Sequence, residues 1–406
     1  MLSNKTIYTI VSRTLIAAAN FALVIFSSHI WGDEGRGTIA LIMADSSLII
    51  ILNNITSGST LSFHTPKVSK NAIFSIALVG TFFTSLAGAV IFSFIQGFQH
   101  FGYLFMIPLL ISYSTSLSLF LLGKQNIKMY NIFSVLPPVL ILFFLSILYF
   151  GLNRTNIEEY FHAYYLSYSF VLIIGLVLIF GKSGFIFITD ITAAKKVVSY
   201  GTKSEISYFI QFLNYRLAYF FISDWLGLAS LGFFSVAVAL SEAIWIISKS
   251  ISAIHYSNII NTQDSFLRIK MTEKAAINSL LFSFIAIVVL YFVPDTVFTY
   301  TFGNDFAGVK QLTVYLFPGI LAVAISNIYG HYFSGIGKMR ILIVKSFLGL
   351  ITTVVFIFLL LKRFELTGAC ITLNISYITS SVYLYIMFGL EKKKVLMKMP
   401  QTKKEI

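Results

Sequence analysis

The chain has 406 residues, of which 57% are hydrophobic and only 11% are charged. Its mean hydropathy is +0.85, whereas soluble domains are about 45–50% apolar and about 25% charged. This composition excludes a soluble globular, a disordered or a collagen-like chain and indicates a polytopic membrane protein. The single cysteine, Cys370, excludes an internal disulfide and a cysteine-rich metal site.

Apolar stretches long enough to cross the bilayer recur along the whole chain. A hydrocarbon core of ~30 Å needs about 20 apolar residues in a helix. The stretches are continuously apolar rather than alternating, so they predict helices and not the strands of a membrane barrel. The twelve predicted spans are 7–30, 38–61, 72–95, 101–122, 131–150, 162–180, 204–224, 229–253, 276–293, 311–333, 341–361 and 367–390.

The first two spans carry polar residues at depth. Arg13 lies about 9 Å into span one at 1.5 Å per residue, and Asn20 continues a polar stripe at helical spacing. Such a stripe should face protein or water, so we expect both residues to line a cavity; snorkelling of Arg13 to the surface is the alternative. Asp45 lies inside span two. An embedded carboxylate of this kind is a hypothetical site of proton or ion coupling.

The connection between spans six and seven, residues 181–203, predicts an interfacial helix. Thr189 or Asp190 can cap its start. Its apolar residues are expected to contact the membrane, while Lys195 and Lys196 meet lipid headgroups.

Span seven is polar on two sides. Gln211 and Asn214 share one face, and Arg216 lies on another near mid-depth, where it cannot easily snorkel. We expect Gln211, Asn214 and Arg216 to contact substrate. A purely structural ion pair of Arg216 with Glu242 or Asp45 is the alternative.

Span eight places Glu242 near the bilayer midplane and Lys249 two turns later. Their separation of ~10 Å along the axis is too long for a direct salt bridge. Glu242 is therefore expected to pair with another helix or to be protonated, and it is a second hypothetical coupling site. Lys249, nearer the cytoplasmic end, is a hypothetical substrate ligand; snorkelling to the surface is the alternative. The charges expected at depth are those of Arg13, Arg216, Lys249 and Lys345 against Asp45 and Glu242. This excess of two positive charges suits an anionic group such as a pyrophosphate.

The basic residues indicate topology. Of the 29 Lys and Arg residues, 20 fall at the two termini and in the even-numbered loops, and five fall in the odd-numbered loops. This bias predicts that both termini are cytoplasmic, which requires an even number of spans. It accounts for the net charge of +13 without nucleic acid.

The chain is predicted to be internally repeated. Tyr103-Leu104-Phe105 and Tyr315-Leu316-Phe317 each precede a proline, and Gly123-Lys124 and Gly337-Lys338 follow at the ends of the same spans. Six spans separate the copies, so they have the same orientation. We therefore predict an N-terminal six-helix bundle (1–190), a C-terminal six-helix bundle (191–390) related to it by a pseudo-twofold axis along the membrane normal, and a basic cytoplasmic tail (391–406).

Motifs of common membrane enzymes and metal proteins are missing from the sequence. No GxxxxGK[ST] sequence predicts ATP hydrolysis, and no HExxH or Cys/His spacing predicts a metal site. No cofactor is expected. The predicted outer loops are too short to hold the catalytic groups of a glycosyltransferase, so we expect a transporter rather than an enzyme.

Three stretches resemble the polysaccharide-exporter branch of the multidrug/oligosaccharidyl-lipid/polysaccharide (MOP) flippase superfamily, whose other members include the MATE transporters. The resemblance is to bacterial O-antigen and capsule repeat-unit flippases of the Wzx type. The stretches are Trp31–Thr38, where Gly35 and Gly37 are expected to form a turn, Leu226–Ala237 with the following Leu240–Trp245, and Phe302–Phe306 with the later Phe317–Gly319 and Ser334–Lys338.

The resemblance implies a MATE-like fold and alternating access. It further implies transport of undecaprenyl-pyrophosphate-linked oligosaccharide from the cytoplasmic to the periplasmic leaflet of the bacterial inner membrane, alongside a glycan polymerase and glycosyltransferases. A cation-coupled drug or small-molecule antiporter is the second hypothesis, and a membrane polysaccharide polymerase or glycosyltransferase is the third. The sugar composition, the coupling ion and the oligomeric state are left open.

Overall fold

The computed structural model describes residues 4–397, without the side chains of residues 4–7, 10 and 96. The predicted basic tail therefore lies outside the described residues from 398 onward. The described chain is helical and contains no strand. Its helices are Asn4–Ser57, Ser59–His64, Lys70–Gln96, Phe101–Gly123, Ile127–Ser146, Glu158–Phe180, Ile191–Asn261, Ser265–Phe292, Asp295–Phe302, Val309–Tyr315, Phe317–Gly335 and Met339–Met397.

Eight of these helices are long and apolar enough to cross a membrane, and the bent pair Asn304–Tyr315 and Phe317–Gly335 makes a ninth span. Three of the eight are interrupted by one residue with non-helical backbone angles, at Gly32, Gly227 and Glu365. Each interrupted helix is thus two spans, and the described residues contain twelve. Many exposed positions on these helices are large apolar side chains, such as Phe292, which is 76% exposed. The chain is a multi-pass membrane protein, as predicted.

Two local predictions were wrong. The expected turn over Trp31–Thr38 is a single residue, Gly32, while Gly35 and Gly37 lie in the helix that follows it. The backbone can reverse there through one positive φ of 63°, which glycine adopts without strain. The second error concerns 191–203, which begins at a helix cap as expected, with Asp190 Oδ1 accepting from the Ala193 amide at 2.8 Å. This segment then continues without a break into span seven instead of forming a separate interfacial helix.

Residues with positive φ reveal the internal repeat. Gln125 and Gly337 are separated by the same 212 residues as Asn153 and Glu365, and all four have left-handed φ. The Tyr-Leu-Phe motifs at 103 and 315 have this separation too. Gly97 and Gly303, 206 residues apart, form a third pair, because a 3₁₀ turn follows each of them. Gly32 and Gly227, 195 residues apart, form a fourth pair, because each interrupts a long helix.

The hydrogen bonds at the ends of spans four and ten correct the register of the repeat. The Asn126 amide donates to the Leu121 carbonyl at 2.9 Å, and the Lys338 amide donates to the Phe333 carbonyl at 2.9 Å. Both bonds are the 6→1 hydrogen bond of a Schellman motif at the C-terminus of a helix, in which the residue before the donor has left-handed φ. Gln125 and Gly337 occupy this position and are therefore equivalent. The two Gly-Lys pairs seen in the sequence are therefore displaced from each other by two residues.

Two glycines of the repeat meet directly. Gly37 follows Gly32 by five residues, and Gly232 follows Gly227 by five residues. A Cβ atom on Gly37 would overlap the carbonyl oxygen of Leu228, and a Cβ atom on Gly232 would overlap that of Asp33. The two backbones touch in a reciprocal way, which is how small residues let membrane helices approach closely.

The chain divides into two compact units. Unit one comprises Met1–Ser27 and Thr38–Phe209, and unit two comprises Ser28–Gly37 and Ile210–Ile406. The start of helix Ile191–Asn261 thus belongs to unit one, where Thr60 Oγ1 donates to the Val197 carbonyl at 3.2 Å and Gly201 lies against the backbone of Ile55. The predicted boundary between the two six-helix bundles, at residue 190, concerns the arrangement of spans in the membrane and stays a prediction.

A buried amide organises the interior of unit one. Asn53 is fully buried, and its Nδ2 donates to Ser85 Oγ at 2.9 Å and to Ser112 Oγ at 3.0 Å. Thr84 Oγ1 donates to Asn53 Oδ1 at 2.6 Å. Spans two, three and four are therefore joined by a satisfied polar cluster, which is the form in which polar groups are tolerated inside a bilayer.

We predict that Gly232→Ala destabilises the protein. The added methyl group would overlap backbone rather than a flexible side chain, and overpacking of this kind costs about 1–3 kcal/mol. Thermal unfolding in detergent should show a lower midpoint for this variant.

Gly102→Ala is the matched control, because a Cβ atom on this helical glycine meets nothing within 4 Å. It should be neutral or stabilising, since alanine favours helix more than glycine does. Equal stability of the two variants would show that the glycine crossing is not tight.

Candidate substrate-binding site

The two parts of helix Ile191–Asn261 bring Arg216 and Glu242 together. Arg216 precedes the break at Gly227, and Glu242 follows it. The two parts run back along each other, as the ring contact of Tyr219 with Phe234 at 5.9 Å also shows. Arg216 Nη2 lies 2.7 Å from Glu242 Oε1. Glu242 and Asp45 were the two partners predicted for Arg216, and the structure shows that the partner is Glu242. Glu242 was predicted either to pair with another helix or to be protonated, and it is paired.

Tyr219 holds the guanidinium group from one side. Arg216 Nη1 donates to the Tyr219 hydroxyl at 3.3 Å, and the guanidinium carbon lies 4.9 Å from the centre of the Tyr219 ring. The side chains of Arg216 and Glu242 remain 26% and 34% exposed. The pair is therefore neutral overall but reachable, and its remaining N–H groups and carboxylate lone pairs are available to a ligand.

Three aromatic rings form a cluster next to the ion pair, because one of them, Tyr377, interacts electrostatically with both Arg216 and Glu242. The Tyr215 ring is 5.8 Å from that of Trp245 and 5.8 Å from that of Tyr377, and Trp245 and Tyr377 are 5.5 Å apart. Trp245 and Tyr377 are buried, whereas Tyr215 is half-buried. We call Arg216, Glu242, Tyr215, Trp245 and Tyr377 the Arg216 centre. It combines an apolar aromatic wall with a few polar groups, which is typical of small-molecule sites.

Arg36 is a half-buried cation within a helix, although the sequence predicted a turn over Trp31–Thr38. It lies in the helix after Gly32, where its Nε donates to Ser235 Oγ at 3.1 Å. Tyr219 interacts electrostatically with both Arg36 and Arg216. The three glycines near Arg36 led to the prediction of a turn. If the turn is limited to Gly32, Arg36 and Gly37 fall in the first turns of the next helix, and this was the signal that could have placed Arg36.

Asn214, a predicted substrate ligand, is engaged in helix packing. Its side chain is buried, and Oδ1 accepts from Thr353 Oγ1 at 3.3 Å and Ser376 Oγ at 2.9 Å. Spans seven, eleven and twelve meet at this amide. Gln211 and Lys249, by contrast, are exposed. Asn214 thus points into unit two, whereas Gln211, which was predicted on the same face, is exposed and Arg216 is partly exposed.

The predicted residues of unit one lie in different surroundings. Arg13 is exposed and its Nη2 donates to the Tyr130 hydroxyl at 2.9 Å, and Asn20 is also exposed. Asp45 is completely buried, so it is not accessible to a substrate or ion in this conformation. Among the described residues no group of His, Cys, Asp and Glu could hold a metal ion.

Sequence comparisons identify no relative. No family model matches the chain, and no curated protein matches it.

Solved structures nevertheless share the fold over almost the whole chain. An inward-facing MATE-family multidrug resistance transporter of the MOP superfamily is 14% identical, with a TM-score of 0.73 and coverage of 98% of this chain and 97% of that one. The lipid II flippase MurJ in an inward closed conformation is 14% identical, with a TM-score of 0.73 and coverage of 97% and 90%. The MATE multidrug transporter DinF-BH, solved as a complex, is 16% identical, with a TM-score of 0.66 and coverage of 97% and 95%.

The chain therefore has the MATE-like fold of MOP-superfamily transporters and flippases. These identities establish the fold, while the chemistry of transport must be argued from the residues.

We predict that Arg216 and Glu242 are energetically coupled. Arg216→Gln or Glu242→Gln alone leaves one charge without its partner, whereas the double variant removes both charges. A double-mutant cycle on unfolding in detergent should give a coupling free energy of about 1–2 kcal/mol. Strict additivity of the two changes would mean that the ion pair contributes nothing to stability.

Proposed function

We propose that this protein is a flippase for undecaprenyl-pyrophosphate-linked oligosaccharide repeat units of an O-antigen or capsule. It moves them from the cytoplasmic to the periplasmic leaflet of the bacterial inner membrane by alternating access, with both of its termini in the cytoplasm. A glycan polymerase and glycosyltransferases are its proposed partners. The observation that carries the proposal is that basic side chains within the spans are accessible, whereas the carboxylates there are buried or neutralised, except Asp224 at the last residue of span seven.

The basic residues support an anionic substrate. Arg13 and Lys249 are exposed and Lys345 is half-buried, each within its own span. Charged groups at this depth are costly and are retained mainly for function. Arginine and lysine bind phosphate oxygens through charge-assisted hydrogen bonds. Arg13, Asn20, Gln211, Arg216 and Lys249 remain the proposed substrate ligands, whereas we now assign Asn214 to packing.

The carboxylates within the spans are less accessible than these basic residues. Asp45 and Glu205 are buried. Glu242 is partly exposed, and Arg216 neutralises it. Asp224 is exposed but is the last residue of span seven. A site for an organic cation inside the membrane would need an accessible carboxylate at mid-depth without a basic partner. Glu242 and Asp45 remain proposed coupling residues, since protonation of Glu242 would release Arg216.

The second candidate function is a cation-coupled drug or small-molecule antiporter. It is favoured by the two multidrug transporters that have the same fold. The residues are less suitable for binding an organic cation, because Glu242 is paired with Arg216 and could bind a cation only after Arg216 had been displaced.

Deletion of the gene tests the proposal directly. Undecaprenyl-linked repeat units and surface glycan are followed together in the deletion strain and in the complemented strain. We expect complete units to accumulate on the cytoplasmic leaflet and surface glycan to disappear. Units that reach the outer leaflet but stay unpolymerised would indicate a polymerase, and altered drug tolerance with normal glycan would indicate the antiporter.

Arg216→Ala should abolish glycan export while leaving insertion into the membrane intact. The change removes the guanidinium group that holds Glu242 and contacts Tyr219. Surface glycan is measured against the amount of protein in the membrane, with the exposed Arg363→Ala as the matched control. Normal export by Arg216→Ala at a normal protein level would remove Arg216 from the site.

A further inference from the structure

The charge of Arg216 is already matched within its own site. Glu242 lies 2.7 Å from the guanidinium group, so a diphosphate would have to displace a carboxylate that is held in direct contact. A neutral polyhydroxyl ligand faces no such competition. Its hydroxyl groups can accept from the remaining guanidinium N–H groups and donate to the carboxylate while the ion pair stays closed.

Trp245 adds a donor without an acceptor. Its side chain is only 4% exposed, and its indole Nε1 has no hydrogen-bond partner among the described residues. An indole N–H can only donate, and burying it without an acceptor costs about 1–3 kcal/mol. The nearest ring neighbours, Tyr215 and Tyr377, contact Trp245 through their rings.

The aromatic wall suits the carbon face of a sugar ring. Tyr215 is half-buried, whereas Trp245 and Tyr377, whose rings it contacts, are buried. Pyranose rings present C–H groups on one face and hydroxyl groups around the rim. A site with aromatic rings, a guanidinium group, a carboxylate and an indole N–H provides a partner for each of these features.

Lys249 provides a separate place for phosphate. It is exposed, belongs to no ion pair within residues 4–397, and follows Glu242 by two helical turns, or ~10 Å along the axis. At this distance Lys249 can contact a phosphate group while Arg216 and Glu242 contact a sugar of the same lipid-linked molecule.

We propose that the Arg216 centre is a sugar subsite: Arg216, Glu242 and the Trp245 indole N–H bind a neutral hexose of the lipid-linked glycan, while the diphosphate is held elsewhere, at Lys249. The inference rests on the proposed function. It gives unit two of the chain two chemically distinct contacts to the substrate, one to sugar and one to phosphate. Trp245 donates to a sugar oxygen, such as the carbonyl oxygen of an acetamido group, once Tyr215 has made room for the ring.

Two lipid probes separate the sugar contact from the phosphate contact. One is undecaprenyl diphosphate, which has no sugar, and the other is the undecaprenyl-diphosphate-linked glycan extracted from the deletion strain. Binding of each probe to the purified full-length chain is measured by native mass spectrometry. Trp245→Phe keeps the aromatic ring and removes the N–H, and Trp225→Phe is the matched control, because Trp225 contacts Phe221, Phe358 and Lys362 outside the centre.

We expect Trp245→Phe to weaken binding of the glycan-linked lipid about five- to tenfold, the effect of one hydrogen bond, and to leave binding of undecaprenyl diphosphate unchanged. Trp225→Phe should change neither, and Lys249→Ala should weaken both. An equal effect of Trp245→Phe on both lipids, or no effect on either, would overturn the sugar subsite and leave the flippase proposal intact. Failure of the wild-type chain to bind either lipid would instead overturn the proposed function, and with it the subsite.

Discussion

Backbone hydrogen bonding in hydrocarbon is the constraint on which the rest of this structure depends. Amide groups that have no water must bond within helices, so the chain reverses at short connections, most of which contain a residue with left-handed φ. Among residues 4–397, eight of the ten residues with positive φ fall into four pairs related by the internal repeat. These breaks set the length and register of the spans. The break at Gly227, in particular, determines that Arg216 on one helix meets Glu242 on the next.

The fold is duplicated but its chemistry is not. With the separation that relates Gly32 to Gly227, the positions equivalent to Arg216 and Glu242 in the first half are Phe21 and Ser47. Unit one instead has an exposed Arg13 and a buried Asp45. The repeat therefore supplies a common scaffold of helices, while single substitutions at equivalent positions give each unit its own charges. This is why a fold shared with drug transporters and a lipid flippase does not by itself name the substrate.

Polar residues in the spans serve two purposes that hydropathy cannot separate. Asn53 and Asn214 each join three helices through satisfied hydrogen bonds, and both are buried. Arg216 and Glu242 also bond to each other, but each remains partly exposed. The amides specify packing, since a membrane lacks a hydrophobic driving force between helices. The ion pair is partly exposed, and its neutrality is the reason why we propose that it binds uncharged polar groups rather than a second anion.

The sequence by itself determined the class of protein, the twelve spans and the existence of a six-helix repeat, because these depend on apolar length and on residue order alone. It also identified Arg216 and Glu242, since charge inside a span is visible without coordinates. Only the tertiary structure decided that these two residues pair, that Asn214 packs inward, that Arg36 lies in a helix, and that Trp245 stands beside the ion pair. Each of these outcomes depends on the rotation of a helix about its own axis and on where single residues such as Gly32 interrupt it. Hydropathy along one chain contains neither quantity.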